Sequence, residues 1–232
     1  TMSAPGTRSI GVTPWRADLT VLVVGFLLLA AWDFTALDLP AARAFGTAEG
    51  FPWRTHLLTS GLLHEGGRAV GWVVLTGLVV NVFRPLWAGP TKAERVAWVL
   101  VTLLCLLVVP ALKQVSQTSC PWDLAEFGGT AQYVSHWRFG VADGGGGRCF
   151  PSGHAVAAFG FLGLYFLWRP HDAKVARAWL AAVLLAGLLF GSAQLARGAH
   201  YPSHTLWSAW LCWVLSALCA RWAGSPTAAP AR

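Results

Sequence analysis

Four short polar stretches interrupt the long apolar segments of this 232-residue sequence. They are Lys113, residues 151–154 (Pro-Ser-Gly-His), residues 197–200 (Arg-Gly-Ala-His) and His204. Lysine and arginine bind tetrahedral oxyanions, and a helix that starts Pro-Ser-Gly leaves backbone N–H groups free to attract an anion. Two histidines can divide a reaction between a nucleophile and a general acid. These residue types therefore indicate chemistry on a phosphate group.

The composition indicates what kind of fold must position these residues. Hydrophobic residues make up 55% of the chain and charged residues 12%, against about 45–50% and about 25% in soluble proteins. The mean hydropathy of +0.53 excludes a disordered chain, a coiled coil and a disulfide-dense mini-domain, and it predicts a polytopic membrane protein. The net charge of +7 comes from scattered basic residues, so nucleic acid is not an expected partner.

Six apolar segments are candidates for membrane-spanning helices, which need about 20 mostly apolar residues. They cover residues 19–37, 69–83, 96–112, 155–168, 176–195 and 205–222. We therefore expect an all-α polytopic membrane protein, a six-transmembrane-helix bundle at residues 19–222, with cytoplasmic tails at 1–18 and 223–232. The tail ends, 1–14 and 224–232, are expected to be disordered. The amphipathic stretch Thr55–Glu65 is expected to lie along the membrane interface.

Basic residues in short loops indicate the orientation of the spans. With the N-terminus in the cytoplasm, ten basic and three acidic residues lie on the cytoplasmic side, against seven basic and seven acidic residues outside. This predicts that both termini are cytoplasmic. The alternative is that the first span is a cleaved signal peptide, but its basic region is long and its apolar run exceeds the usual signal core.

The predicted topology brings the polar stretches together. The fourth and fifth spans form a hairpin through residues 169–177, so His154 and His200 must emerge on the same face. Lys113 reaches that face by the same count of spans. Because charged groups at a membrane edge are costly, their clustering favours function over chance. We therefore predict one phosphate site at the outer face of the bundle.

These residues resemble the motifs of the type 2 phosphatidic acid phosphatase superfamily. The resemblance rests on Lys113, Pro151-Ser152-Gly153-His154 and Gly198-Ala199-His200-Tyr201-Pro202, in that order. It implies that His200 is the nucleophile that forms a phosphohistidine and that His154 protonates the leaving oxygen. It implies that Lys113, Ser152 and the Gly153 amide bind phosphate oxygens. It also implies that no metal and no cofactor take part.

The sequence departs from the family pattern at both motif arginines. Cys120 replaces the arginine of the first motif, and Gln194 replaces the arginine of the third. Arg197 follows Gln194 by three residues, which is about 60° around a helix and about 4.5 Å along it. We expect Arg197, and also Arg148, to restore the lost positive charge, with Gln194 donating a neutral hydrogen bond.

A third departure is His204, which replaces the motif aspartate that orients the nucleophilic imidazole and stabilises its cation. A neutral His204 could accept a hydrogen bond from the Nδ1–H of His200 and so fix its tautomer. It would stabilise the cation less than a carboxylate does. We therefore expect activity to fall when His204 becomes protonated at acid pH.

Two of the five cysteines lie beside the phosphate motifs. Cys120 and Cys149 both fall in the outer loop and would form a disulfide in an oxidising compartment, which would hold the first and second motifs together. The other three, Cys105, Cys212 and Cys219, lie in predicted spans and are expected to be buried small hydrophobes.

Less specific roles stay open for several of these residues. His154, His200 and His204 could instead bind a metal, although the basic residues nearby would repel a cation. Ser152 could serve only as a helix cap. The remaining histidines of interest are expected to be solvated or capping residues, with a head-group contact as an alternative for His64 and Glu65; they are His56, His64 and His136.

Together, the residues and the resemblance predict a membrane lipid phosphatase in the bacterial inner membrane, with its site facing the periplasm. The expected substrate is a phospholipid, prenyl or lipid A phosphate. Phosphatidic acid, phosphatidylglycerol phosphate, undecaprenyl pyrophosphate and lipid A are candidates among which the sequence does not choose. A lipid phosphotransferase with the same intermediate and a non-catalytic lipid-binding or transport relative are the alternatives. The sequence indicates no oligomeric state.

Overall fold

The computed structural model describes residues 15–223, and every regular element in that range is helical, apart from two isolated bridges. In chain order these are α1 (Trp15–Phe34), α2 (Asp38–Arg43), a π-helical segment (Leu57–Gly66), α3 (Gly67–Phe83), α4 (Lys92–Val115), α5 (Val156–Phe159), α6 (Gly163–Trp168), α7 (Ala173–Ala196) and α8 (Pro202–Ala223). Two 3₁₀ turns, Pro121–Asp123 and Ala125–Phe127, lie between α4 and α5. The predicted all-α class is confirmed for this range. The predicted tail ends, 1–14 and 224–232, lie outside the described residues.

Four helical segments are long and apolar enough to cross a membrane. They are Trp15–Phe34, Leu57–Phe83, Lys92–Val115 and Ala173–Ala196. Helix α8 has 22 residues and is not among these four. These findings fit a membrane protein, and the count of six spans stays a prediction.

The predicted span at 155–168 is not one continuous helix. It consists of α5, with four residues, and α6, with six, joined by a turn at 160–162. Helices α4, α7 and α8 pack around both pieces. Gly187 on α7 permits a close approach, since a Cβ there would lie 2.2 Å from the ring of Phe159. The segment that follows His154 is therefore fixed by packing on several sides.

Large apolar side chains cover the outward surfaces of the long helices. Leu28, Val73, Leu107 and Leu185 on α1, α3, α4 and α7 are each more than half exposed. A contiguous apolar surface of this kind is rare on a protein that is surrounded by water. Lipid tails are its natural surroundings, which agrees with the composition.

The bundle has two ends, which we call the site end, where α4 and α7 finish, and the opposite end, where they begin. At the opposite end, Arg169 donates hydrogen bonds to both carboxylate oxygens of Asp18, at 2.7 and 3.0 Å. Helix α4 begins there with a capping box, in which Thr91 and Glu94 satisfy each other's backbone N–H groups. These contacts fix the ends of α1, α4 and α6.

The long loop between α4 and α5 lies at the site end and is cross-linked. Cys120 and Cys149 form the predicted disulfide, with their Cα atoms 5.2 Å apart. Asp143 accepts hydrogen bonds from the backbone and hydroxyl of Ser119, at 2.6 and 2.8 Å. A Cβ on Gly145 would lie 2.4 Å from Ser119 Oγ, so the glycine-rich stretch packs directly on the start of the loop.

The stretch expected at the membrane interface differs from its prediction. Leu57–Gly66 forms a π-helix that runs without a break into α3, and the two make one apolar segment of 27 residues. His56 begins it, because its ring accepts a hydrogen bond from the Leu58 N–H at 3.2 Å. A π-helix has more residues per turn than an α-helix. Its side chains therefore point in other directions than a 3.6-residue period predicts.

Candidate active site

A cavity of about 720 Å³ lies at the site end, between α3, α4, α5 and α7. Six of the nine predicted catalytic and phosphate-binding residues line it; they are Lys113, Gly153, His154, Gln194, Arg197 and His200. They come from the ends of α4 and α7, from the turn before α5 and from the link between α7 and α8. The predicted convergence of distant segments is thus present in the structure.

The turn before α5 places Lys113 and Gly153 side by side. A Cβ on Gly153 would lie 3.5 Å from Lys113 Cδ, so the lysine stem passes directly over the glycine backbone. Ser152 lies deeper and is fully buried. Its Oγ accepts a hydrogen bond from the Ala155 N–H at 3.4 Å, and its own N–H donates to the His204 carbonyl at 3.0 Å. In this arrangement the Ser152 hydroxyl caps the turn and does not line the cavity.

Arg197 and Gln194 meet at the end of α7, as their spacing predicts. The Arg197 Nη1 donates to Gln194 Oε1 at 3.2 Å, and its Nε donates to the Arg54 carbonyl at 3.0 Å. Burial lowers the pKa of Arg197, with Glu65 opposing and Arg54 reinforcing that shift. The guanidinium is therefore a buried cation whose hydrogen-bond partners in the described residues are neutral oxygens.

Arg148 is placed differently from Arg197. It lies on the exposed part of the loop with a positive φ of 56°, and its N–H donates to the Ser116 carbonyl at 2.7 Å. It is not among the residues that line the cavity. Of the two arginines expected to replace the lost motif charges, the structure brings only Arg197 to the site.

His200 is buried, with 4% of its surface exposed, beside the disulfide. Its Nδ1 lies 3.5 Å from Cys149 Sγ. Burial, and after it the charge of Lys113 and the neighbouring His154, hold the pKa of His200 well below its ordinary value of 6.5. The imidazole is therefore neutral at pH 7, which is the form in which a ring nitrogen can act as a nucleophile.

His154 lines the same cavity as His200, and its ring lies against a third histidine. Its ring centroid lies 4.5 Å from that of His64, and its Nε2 is buried without a hydrogen-bond partner in the described chain. Burial, and next the nearby His64, lower the pKa of His154 to about 4. A general acid must carry a proton, and the negative charge of a bound phosphate is what would favour the protonated form here.

His204 lies behind His200 and does not line the cavity. It is completely buried, and its ring centroid is 5.8 Å from that of His200. Within residues 15–223, neither of its ring nitrogens has a hydrogen-bond partner. The expected hydrogen bond from the His200 Nδ1–H is therefore not formed, because the two rings are tilted by 65° and Nδ1 is directed to Cys149.

Two further basic residues line the cavity: Arg68, for which the sequence indicated no role, and His64, for which a head-group contact was the alternative expectation. His64 was expected to be solvated, yet it lies against His154, and its Nδ1 is 2.8 Å from Glu65 Oε1. His64 lies in the π-helical segment and Arg68 in α3, so a regular α-helical period does not predict that both reach the cavity. His56, by contrast, is a capping residue as expected.

The remaining wall of the cavity is apolar and reaches the outer surface of the bundle. It includes Trp72 and Leu75 of α3 and Leu103 and Leu107 of α4. Trp72 and Leu107 are 65% and 68% exposed on the outward side. The cavity thus joins a cationic end to an apolar side that lies between α3 and α4.

Two groups of potential metal-ligating side chains occur among the described residues. Cys120, Cys149 and His200 have ligand atoms within 4.8 Å of one another, but both sulfurs are occupied by the disulfide. A second group of that size, formed by Asp33, Asp38 and His136, lies behind the cavity.

Comparison with protein families gives one match. A family model described as the PAP2 superfamily matches residues 95–227, which is more than half of the chain and includes α4 to α8. Compared with curated proteins and with solved structures, the chain shows no significant match. His64, Arg68 and Asp33 lie before the matched range.

Proposed function

The chain belongs to the PAP2 superfamily, and from that membership we propose that it is a membrane lipid phosphatase. The family supports phosphatase activity on phosphate esters, and the four apolar helices fit a protein in a membrane. The finer proposal is the removal of a phosphate monoester or pyrophosphate group from a lipid through a phosphohistidine intermediate.

The observation that supports a lipid substrate most directly is the shape of the cavity. Its cationic end holds Lys113 and Arg197, which suit a phosphate group. Its apolar side, which includes Trp72 and Leu107, lies toward the lipid-facing surface. An amphiphile could place its phosphate among the cations and leave its acyl or prenyl chains in the bilayer.

The proposed reaction has two steps. The Nδ1 of His200 lies toward Cys149, so Nε2 is the nitrogen that attacks phosphorus. A nitrogen–phosphorus bond forms while the bond to the lipid oxygen breaks, and the proton of His154 goes to that oxygen. Lys113, Arg197 and the Gly153 N–H stabilise the charge that develops on the phosphoryl oxygens. Neutral His154 then takes a proton from water, which cleaves the nitrogen–phosphorus bond and releases phosphate.

The proposed setting is the inner membrane of a bacterium, with the site end facing the periplasm. The bias of basic residues to the opposite end supports this orientation. An oxidising compartment at the site end agrees with the disulfide between Cys120 and Cys149. The substrate is proposed as a class, with phosphatidic acid, phosphatidylglycerol phosphate, undecaprenyl pyrophosphate and lipid A as its test members.

The test is phosphate release by the purified protein in detergent micelles that contain each of these four lipids. We expect at least one lipid to be hydrolysed and the His200→Ala variant to be inactive. The matched control is His171→Ala, since His171 lies at the opposite end and pairs with Glu94 at 3.0 Å. Release that is equal in wild type and His200→Ala would refute the proposal. Labelled phosphate that passes to an acceptor lipid without release would favour a phosphotransferase.

A further inference from the structure

A line of buried polar side chains continues behind His200, away from the cavity. His204 is the first member, completely buried and without a hydrogen-bond partner in the described residues. Buried polar groups in folded proteins are almost always paired, so an imidazole with two free nitrogens is costly to keep. On its far side the ring faces His136, with the centroids 5.8 Å apart and the rings nearly perpendicular at 78°.

His136 connects this line to a carboxylate. Its ring stacks on Phe150 at a centroid distance of 4.0 Å, and its Nε2 lies 3.3 Å from Asp33 Oδ2. Both side chains are at most 5% exposed. The indole N–H groups of Trp137 and Trp207 donate to the same oxygen, at 2.7 and 2.9 Å. Several donors on one carboxylate stabilise its ionised form.

The carboxylate is anchored at one oxygen and free at the other. Asp33 Oδ1 is buried and has no partner among the described residues. Burial, Lys113, His154 and His64 all disfavour the cationic form of His200, while the Cys149 backbone favours it. A cationic phosphohistidine would thus form beside positive charges, with no carboxylate in direct contact.

We propose that His204, His136 and Asp33 act together as a positioning relay that replaces the motif aspartate behind the nucleophile. The proposal rests on the proposed function of His200. Asp33 supplies the negative charge, His136 is held against it, and His204 lies between His136 and His200. In the free protein His204 makes no hydrogen bond to His200. The relay acts after attack, when a turn of the His204 ring lets it accept the Nδ1–H of the cationic His200 and donate to His136. The relay residues neither gain nor lose a proton. His154 donates a proton to the leaving oxygen and then recovers one from water.

Two of these residues, Asp33 and His136, lie close to Asp38, but the three do not form a cation site. Asp33, Asp38 and His136 have ligand atoms within 4.8 Å of one another. However, Asp33 Oδ2 accepts indole N–H groups, and both oxygens of Asp38 are taken by donors from Ser203 and Trp32. Hydrogen-bond donors thus point to where a cation would have to bind.

The test measures whether Asp33 is needed only while His204 is present. In the wild-type background, Asp33→Asn should lower kcat about 100-fold with little change in KM, since the loss of an orienting carboxylate in a catalytic triad costs up to about 10⁴-fold. In the His204→Asp background, which restores a carboxylate next to His200, the same change should lower kcat less than about 3-fold.

Asp18→Asn is the matched control, because Asp18 is a buried carboxylate on the same helix but pairs with Arg169 at the opposite end. It should leave kcat of the folded protein unchanged. His136→Gln is the second relay variant and should repeat the pattern of Asp33→Asn if that variant does not fold. An equal loss of kcat in both backgrounds would overturn the relay. Wild-type protein that hydrolyses no lipid would instead overturn the proposed function.

Discussion

The two ends of the bundle differ in how their charged side chains are paired. At the opposite end, Asp18 and Arg169 form a two-pronged ion pair, at 2.7 and 3.0 Å. Glu94 caps its own helix and also contacts His171 at 3.0 Å. These two carboxylates have basic partners, and the buried Arg95 at the same end donates to the Trp87 carbonyl at 2.7 Å. These groups lie at helix ends, where their role is explained by the fold itself.

At the site end, two cations that line the cavity, Lys113 and Arg197, lack such partners among the described residues. Within the described range, Lys113 and Arg197 form no ion pair with a carboxylate, and several buried polar atoms have no hydrogen-bond partner. These atoms include His154 Nε2 and Gln194 Nε2, both in residues that line the cavity. A buried or half-buried cation without a counter-ion is costly unless an anion binds it. The difference indicates that the opposite end serves stability and the site end serves binding and chemistry.

Removing one cation from each end should separate these roles most clearly. Lys113→Ala and Arg197→Ala should each lower kcat/KM about 10²- to 10³-fold, because each removes a charge that stabilises the transition state. Arg169→Ala should instead lower the midpoint of thermal unfolding, because it leaves Asp18 buried and unpaired. Its activity per folded molecule should stay near wild type. The measurements are phosphate-release kinetics and thermal unfolding in detergent, and a large loss of kcat in Arg169→Ala would contradict this division.

A smaller effect distinguishes His154 from His200 in the cavity. His154→Asn should lower kcat on a lipid phosphate about 10²-fold, because the leaving alcohol then departs unprotonated. On p-nitrophenyl phosphate, whose leaving group needs no proton, the loss should be less than about 10-fold. His200→Ala should abolish both reactions. Equal losses for His154→Asn on both substrates would show that His154 binds phosphate and is not the general acid.

The stability of the site end should depend on pH. The pKa of His154 is lowered to about 4 in the folded protein and returns to about 6.5 on unfolding. The free energy of unfolding is therefore unaffected by this histidine above pH 6.5. As the pH falls from 6.5 to 4, that free energy decreases by up to about 3 kcal/mol, because the unfolded state binds the proton more tightly. We expect the unfolding midpoint to fall across this range, and to fall less in His154→Asn. His200 acts in the same direction, and an identical fall in the variant would exclude His154 as a cause.

The smallest effect is expected for the arginine that lies outside the cavity. Arg148→Ala should change kcat/KM less than about 2-fold, because Arg148 is exposed and lines no part of the site. The change is matched to Arg197→Ala in residue type and assay. A loss above 10-fold would show that the loop moves Arg148 onto the phosphate during turnover.

Much of the site could be predicted because its position depends on topology alone. The hairpin of two spans forces His154 and His200 to one face, and a three-residue spacing brings Gln194 and Arg197 together. The disulfide between Cys120 and Cys149 followed from their places beside the two motifs. Such features depend on counts of residues and spans, which the sequence contains directly.

Other features depend on side-chain rotation and long-range packing. His200 and His204 lie four residues apart, with their ring centroids 5.8 Å from each other. The rotation of each ring decides whether they form a hydrogen bond, and here they do not. The break between α5 and α6 reflects packing against three helices. His136 meets Asp33 across 103 residues of sequence, and nothing near either residue indicates that contact. His64 reaches the cavity because it lies in a π-helix. The periodicity of the sequence does not predict a π-helix.

The most direct test of the central claim is to trap the intermediate on His200. Wild-type protein would be mixed with radiolabelled lipid phosphate, quenched in base within milliseconds to seconds, and digested for mass spectrometry. We predict an acid-labile, base-stable phosphoryl group on His200 that is absent from His200→Ala and present in His171→Ala. A phosphoryl group on another residue, or hydrolysis that proceeds in His200→Ala, would contradict the account.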